Sequence, residues 1–395
     1  MPRVLISDKM SGLAAEVFQR RGIEVDVKTG LSPEDLSAII GDYDGLAVRS
    51  ATKVRGPVIE AAKNLKVIGR AGIGVDNVDL NAATAKGIVV MNTPFGNSIT
   101  TAEHAIAMLM ALARDIPLAN ASTHAGKWEK SRFMGVEITG KVLGIIGCGN
   151  IGSVVADRAQ GLKMRVIAFD PYLGEDRAKE LGVEKVSLDD LLARADFISL
   201  HTPLIDATRH IIDADALNKT RRGVRLINCA RGGLVDEAAL KAALDSGHVA
   251  GAAIDVFEEE PATASPLFGM DNVVATPHLG AATTEAQEKV AVQIAEQMAD
   301  YLLDGAVSNA LNMPSVTAEE APRLKPYMTL AQQLGSFAGQ ATRSAIREVT
   351  ISYEGVCGEL NCKPLTAVVL QGLLGPSMEG INMVNAPTIA KDRDI

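Results

Sequence analysis

Three side chains of different chemistry follow apolar, β-branched runs in the second half of the chain: Arg231 in N-C-A-R-G-G, Glu260 in D-V-F-E-E-E-P and His278 in A-T-P-H-L-G. In open α/β sheets ligands collect at the carboxyl ends of strands, so groups at such positions can share one ligand. Oxidising a hydroxyl next to a carboxylate requires a base for the hydroxyl proton, a cation for the carboxylate and an acceptor for hydride. His278 fits the base, because imidazole titrates near neutrality. Glu260, hydrogen-bonded to that ring, would fix its tautomer and stabilise the imidazolium. Arg231 offers a planar fork that meets a carboxylate in two bonds and polarises a 2-oxo oxygen. Each residue also has a plainer reading: an arginine before Gly-Gly caps a turn, a glutamate in an acidic run is solvated, a histidine after proline is held by backbone. Their occurrence on successive strand ends singles them out as a set.

The hydride acceptor has its own signature. Residues 144–170 run through an apolar strand, the turn G-C-G-N-I-G, a helix and the strand R-V-I-A-F-D. Gly147 suits a tight turn, Gly149 lets backbone approach a pyrophosphate, and Gly152 permits close packing of helix on strand. The helix that follows presents free N–H groups and a partial positive charge to the pyrophosphate. Asp170, ending the second strand, is placed to bind a ribose diol and to repel a 2′-phosphate, which favours NAD over NADP.

Two series of alternating strand-like and helix-like runs must position these groups. The first covers roughly the first hundred residues; the second starts at Lys141 and has six strand-like segments. Such alternation predicts an α/β chain of two doubly wound parallel-sheet domains. A helix is expected over 101–123 between the series, and an amphipathic helix over 284–303. After Asn312 a Pro-rich linker, N-M-P-S-V-T-A-E-E-A-P-R-L-K-P, is expected to interrupt helix. Beyond it the pattern predicts a helix over 327–341, a strand in R-E-V-T-I-S-Y-E-G with an exposed edge near Ile351, and a helix over 365–374.

Composition narrows the class. A net charge of −9 without a basic block argues against a nucleic-acid surface. The four cysteines, Cys148, Cys229, Cys357 and Cys362, lack metal-ligand spacing, so no metal is expected and a reduced, cytoplasmic location is. No secretory signal is read at the N-terminus, and the apolar run over 105–118 is too short and too charged to span a bilayer, so no membrane partner is expected.

The segments G-R-A-G-I-G-V-D-N-V-D, the glycine turn, N-C-A-R-G-G-L-V-D-E, A-A-I-D-V-F-E-E-E-P and T-P-H-L-G-A together resemble the D-2-hydroxyacid dehydrogenase family, over nearly the whole chain. The resemblance implies a Rossmann-like nucleotide domain over 99–284, a flavodoxin-like substrate domain over 1–98 with 285–312, and a partial α+β intervening domain over 313–395. It implies Arg231, Glu260 and His278 as the catalytic trio. It implies NAD contacts from Ile73, Asn150, Ile151, Asp170, Thr202, Cys229, Ala230, Asp255, Gly280 and Ala281, besides the glycines of the turn. Asp255 would bind the nicotinamide carboxamide, although a buried carboxylate ending a strand serves equally as a structural group. In the first domain Arg49 and Arg70 end strands, and with Ser50, Asn97 and the N–H groups of Gly72 and Gly74 they are candidates to clamp a phosphate or carboxylate of the ligand, or else simply pair with surface carboxylates.

By resemblance the activity is NAD-dependent oxidation of 3-phospho-D-glycerate to 3-phosphooxypyruvate, opening L-serine biosynthesis. The rivals are a dehydrogenase of glycerate, glyoxylate or 2-hydroxyglutarate, and a non-catalytic dinucleotide sensor like the corepressors that share the fold. A homodimer or homotetramer is implied, with the segment around Trp128 and Arg132 against a partner. E-L-N-C-K-P-L-T-A and N-M-V-N-A-P-T-I-A-K resemble the intervening domain of long-form members. Those members go on to a serine-binding ACT domain; this sequence does not, so a shortened form without serine inhibition is expected.

Overall fold

The computed structural model describes residues 1–316 and 320–395, which gather into two compact units: 1–96 with 287–395, and 97–286. Residues 317–319 of the expected linker lie outside the described residues.

In the first unit five parallel strands, β1 (Arg3–Ile6), β2 (Glu24–Val27), β3 (Gly45–Val48), β4 (Val67–Arg70) and β5 (Val89–Asn92), form a sheet of order β2-β1-β3-β4-β5. That is the flavodoxin-like order. Its inner strands are buried on both faces, as an all-parallel sheet under helices requires: Val4, Leu5, Leu46, Val67 and Ile68 are each at 0% exposure. Helix Pro33–Ile39 starts where Ser32 accepts from the Asp35 N–H and proline takes the first turn, a position that needs no N–H. The amphipathic helix predicted over 284–303 spans Thr284–Asp304. It buries Ile294, Ala295 and Met298 against β1 and β4, and the absence of a side chain at Gly69 makes room for Met298.

The second unit holds seven parallel strands: β6 (Val142–Ile146), β7 (Arg165–Phe169), β8 (Glu184–Lys185), β9 (Phe197–Leu200), β10 (Val224–Asn228), β11 (Val249–Ile254) and β12 (Val273–Ala275). The order β12-β11-β10-β9-β6-β7-β8 is Rossmann-like, and it reverses at β6, between β7 and β9. A ligand crevice belongs at that switch point. Six of the strands are those read from sequence; β8 is an addition, two exposed charged residues paired to β7 at the sheet edge. The helix expected over 101–123 is two, Ser98–Ala113 and Ile116–His124. They part at Asp115, whose φ of 52° is left-handed, just before Pro117 in the next helix's first turn.

The C-terminal segment corrects two expectations. Helix Ala321–Ala341 runs through Pro326 instead of starting after it. Packing outweighs the lost N–H: Gly335 and Gly339 bring this helix against the backbone of Cys362–Leu374 so closely that a Cβ at either would strike the Val369 or Leu373 carbonyl. The run 347–355 forms no strand, since no ladder partner accompanies it among the described residues, and no sheet edge is exposed at Ile351. The segment is part of the first unit, and its last stretch packs on that unit's sheet: Val384 joins the core and Asn382 donates to the Gly87 carbonyl at 2.8 Å.

Candidate active site

The glycine turn after β6 explains its own spacing. Gly147 has a φ of 90°, and a Cβ there would lie 2.7 Å from the His201 carbonyl oxygen and 2.9 Å from the Thr202 nitrogen. A Cβ on Gly152 would strike the Gly147 carbonyl. At Gly149 it would meet nothing within 4 Å, so that side stands open, as close approach by a pyrophosphate demands. Gly149 caps helix Asn150–Gly161 without a side-chain bond to the first-turn N–H groups, which leaves Asn150 and Ile151 at an anion-binding end. Asp170 accepts from the Cys148 N–H at 2.9 Å and the Tyr172 N–H at 2.8 Å, fixing its carboxylate beside the turn. These residues fit a dinucleotide.

The candidate catalytic groups sit in the same unit. Beyond β10, Asn228 Oδ1 accepts from the Ala230 N–H and its Nδ2 donates to the Arg231 carbonyl, tightening the turn that carries the guanidinium. Arg231 Nη1 donates to the Ala230 carbonyl at 2.6 Å. A Cβ on Gly232 would strike the Phe257 carbonyl, so this turn lies directly on the loop leading to Glu260. Glu260 Oε1 accepts from the Phe257 N–H at 3.1 Å, and Oε2 lies 2.7 Å from His278 Nδ1. Burial opposes ionisation of Glu260, but the imidazole and that N–H outweigh it and hold the carboxyl below its ordinary value. The His278 side chain is 47% exposed, and its contact with Glu260 is made through Nδ1.

His278 adopts a left-handed φ of 55°, uncommon for a residue with a side chain. Asp255, at 0% exposure, holds it there: His278 N–H donates to the Asp255 carbonyl, while the carboxylate accepts from the N–H groups of Leu279 and Gly280 and from the Thr276 hydroxyl. Burial works against this charge too, but the bonds from His104, Thr276 and Leu279 prevail and its carboxyl lies below the usual range. Asp255 is thus a structural clasp on the turn that includes Gly280 and Ala281. Burial pushes the thiol of Cys148 up to about 11 and raises that of Cys229 as well, so both stay protonated near neutrality.

The other candidates lie in the first unit, apart from Asn97, whose carbonyl accepts from the Thr101 N–H as helix Ser98–Ala113 begins. Arg49 follows β3 and Arg70 ends β4; Val48 pairs with Arg70, so both arginines leave the same edge of that sheet. Arg49 Nη1 donates to the Lys9 carbonyl at 3.3 Å, and Ser50 is exposed. The Arg70 guanidinium occupies the space a Cβ on Gly72 would fill. One expectation is corrected: the Gly72 N–H is engaged by Thr93 Oγ1 at 2.7 Å and is not a free donor. Ile73 accepts at its carbonyl from Asn92 Nδ2. Sequence reasoning passed over Thr276 and His104; a lone histidine on an apolar helix carries no spacing signal.

A doubly wound nucleotide sheet with a histidine–glutamate pair at its strand ends defines a dinucleotide-dependent oxidoreductase. The NAD binding domain of the D-isomer specific 2-hydroxyacid dehydrogenases matches residues 106–280, and the D-3-phosphoglycerate dehydrogenase intervening domain matches 323–395. The D-3-phosphoglycerate dehydrogenase of a Synechocystis species is 45% identical over 397 residues, covering 100% of this chain and 72% of its own. That of Bacillus subtilis is 44% identical, again over 100% of this chain and 75% of the relative. A solved glyoxylate reductase of Paecilomyes thermophila superposes with a TM-score of 0.73 at 30% identity, over 78% of this chain and 99% of that one. The chain belongs to the D-3-phosphoglycerate dehydrogenases of the D-isomer specific 2-hydroxyacid dehydrogenase family. No helix among the described residues is long and apolar enough to cross a membrane.

Proposed function

We propose that this protein oxidises 3-phospho-D-glycerate to 3-phosphooxypyruvate with NAD, the first step of L-serine biosynthesis, as a cytoplasmic homodimer or homotetramer. The observation that carries the reading is the His278–Glu260 contact of 2.7 Å in the nucleotide-binding unit of a chain so similar throughout to D-3-phosphoglycerate dehydrogenases. His278 Nε2 accepts the proton of the C2 hydroxyl while Glu260 holds the Nδ1–H and stabilises the imidazolium. Arg231 binds the carboxylate and polarises the developing 2-oxo oxygen. NAD, when bound, supplies the acceptor for the C2 hydride. The dinucleotide is held at Gly147, Gly149, Asn150, Ile151 and Gly152, with Thr202, Cys229, Ala230, Gly280, Ala281 and Ile73 around it. Asp170 accepts from the ribose diol and repels a 2′-phosphate, which selects NAD. Arg49 and Arg70, assisted by Ser50, Asn97 and Gly74, bind the substrate's phosphate. In domain terms, 1–98 with 285–312 serve the substrate, 99–284 the dinucleotide, and 313–395 form an intervening domain.

The test is reduced-nicotinamide absorbance with the purified chain, NAD or NADP, and 3-phosphoglycerate, glycerate, 2-hydroxyglutarate or, in reverse, glyoxylate. NAD-dependent turnover strongest with 3-phosphoglycerate is expected. Faster turnover of an unphosphorylated acid would move the assignment within the family, and no turnover of any would leave a dinucleotide sensor.

A further inference from the structure

Asp255 is fully buried, and three of the donors around its carboxylate come from the segment it clasps: Thr276 Oγ1 at 2.6 Å, Leu279 N at 2.7 Å and Gly280 N at 2.9 Å. The fourth comes from another element. His104, on helix Ser98–Ala113, places Nε2 3.2 Å from Asp255 Oδ1 and 3.4 Å from Thr276 Oγ1. Its helix is anchored by Ala102, Ala105, Met108 and Leu109 in the core under the nucleotide sheet, so the ring is delivered from a rigid support. His104 also lies with Cys229 and Asp255 in a group whose ligand-type atoms fall within 4.8 Å of one another. A hydrogen-bond clasp fits that group better than a metal site. The Asp255 oxygens already face N–H and O–H donors, and the buried Cys229 thiol is kept protonated.

We propose that His104 is a positioning residue: its Nε2–H, directed between Asp255 Oδ1 and Thr276 Oγ1, ties the 276–280 turn to helix Ser98–Ala113 and so keeps the left-handed His278 aligned on Glu260. This rests on the hydroxy-acid oxidation proposed above. Without that donor the buried carboxylate loses a partner from a fixed element, and the turn becomes free to rock. Misalignment of the base lowers the chemical rate more than substrate binding, because orientation matters most in the transition state.

The test compares His104→Leu, which keeps bulk and removes the donor, with His104→Gln, whose amide nitrogen reaches the place of Nε2. In H104L kcat is expected to fall about tenfold or more with the KM for the hydroxy acid within about twofold, and in H104Q kcat returns to within about threefold of the unaltered protein. Amide exchange of Leu279 and Gly280 should quicken in H104L and stay slow in H104Q, with β6 and β10 unchanged in both. Unaltered kcat and exchange in H104L would overturn the proposal, as would H104Q behaving like H104L, or a loosening spread over the whole sheet. Should the unaltered protein turn over no hydroxy acid, the oxidation reading fails by itself. Exchange at Leu279 and Gly280 then decides alone whether His104 holds the turn.

Discussion

Replacing Glu260 by glutamine changes no volume and tests the pair most directly. The carboxylate now accepts twice, from the Phe257 N–H at 3.1 Å and from His278 Nδ1 at 2.7 Å. An amide has one accepting oxygen. If that oxygen stays on Phe257, the NH2 faces Nδ1, and the imidazole must carry its proton on Nε2, the atom that should receive the substrate's proton. If the amide flips, its NH2 meets the Phe257 N–H, two donors face to face, and the charge that favours imidazolium is gone. Either way one hydrogen bond and its charge assistance are lost, together about 1.5–3 kcal/mol. At about 1.4 kcal/mol per factor of ten, kcat for oxidation should drop about 10- to 150-fold. The KM for NAD should stay within about twofold, since the glycine turn is untouched. Initial rates of nicotinamide reduction under saturating substrate, with NAD varied, measure both. A kcat within threefold of the unaltered enzyme, or a loss carried wholly by KM, would refute the assignment of Glu260 as partner of the base.

Three further outcomes follow from other parts of the molecule. Arg49→Leu should raise the KM for 3-phosphoglycerate about 10- to 100-fold, the worth of a charge-assisted contact, and that for an unphosphorylated hydroxy acid far less; equal effects in steady-state kinetics would remove the phosphate role. Asp170→Ala should narrow the ratio of kcat/KM for NAD over NADP by about tenfold or more, because the ribose acceptor and the repulsion of a 2′-phosphate vanish together. Burial lowers His201 from 6.5 to about 4. The unfolded chain therefore binds the extra proton between those values, and stability complete above pH 6.5 is lost as pH falls toward 4, by up to about 3 kcal/mol. Urea unfolding at pH 7 and pH 4.5 should show a smaller loss for His201→Gln, and identical losses would discard the linkage.

Much of this architecture is local in origin and so could be read along the chain. Runs such as V-L-G-I-I and R-V-I-A-F are apolar because both faces of a parallel sheet are covered, and Gly147 and Gly152 occur where backbone approaches backbone. Arg231, Glu260 and His278 were visible because each follows such a run. What escaped depends on partners distant in sequence. Glu184–Lys185 is a strand only because β7 lies beside it, whereas 347–355 has strand-forming residues and no ladder partner among the described residues. Pro326 stays inside a helix because glycines further along seat that helix on its neighbour. The Thr93 hydroxyl that engages Gly72 and the histidine that reaches Asp255 from the far side of the nucleotide unit's sequence leave no mark in their own neighbourhoods.

The bare backbone at Gly232 welds the loop bearing the guanidinium to the loop bearing the acid. Attempts to reshape substrate preference by grafting a side chain at that point would displace both functional groups at once. Variation in substrate preference is thereby steered away from these two loops, toward positions such as Arg49 and Ser50, for which a contact with the substrate's phosphate is proposed above.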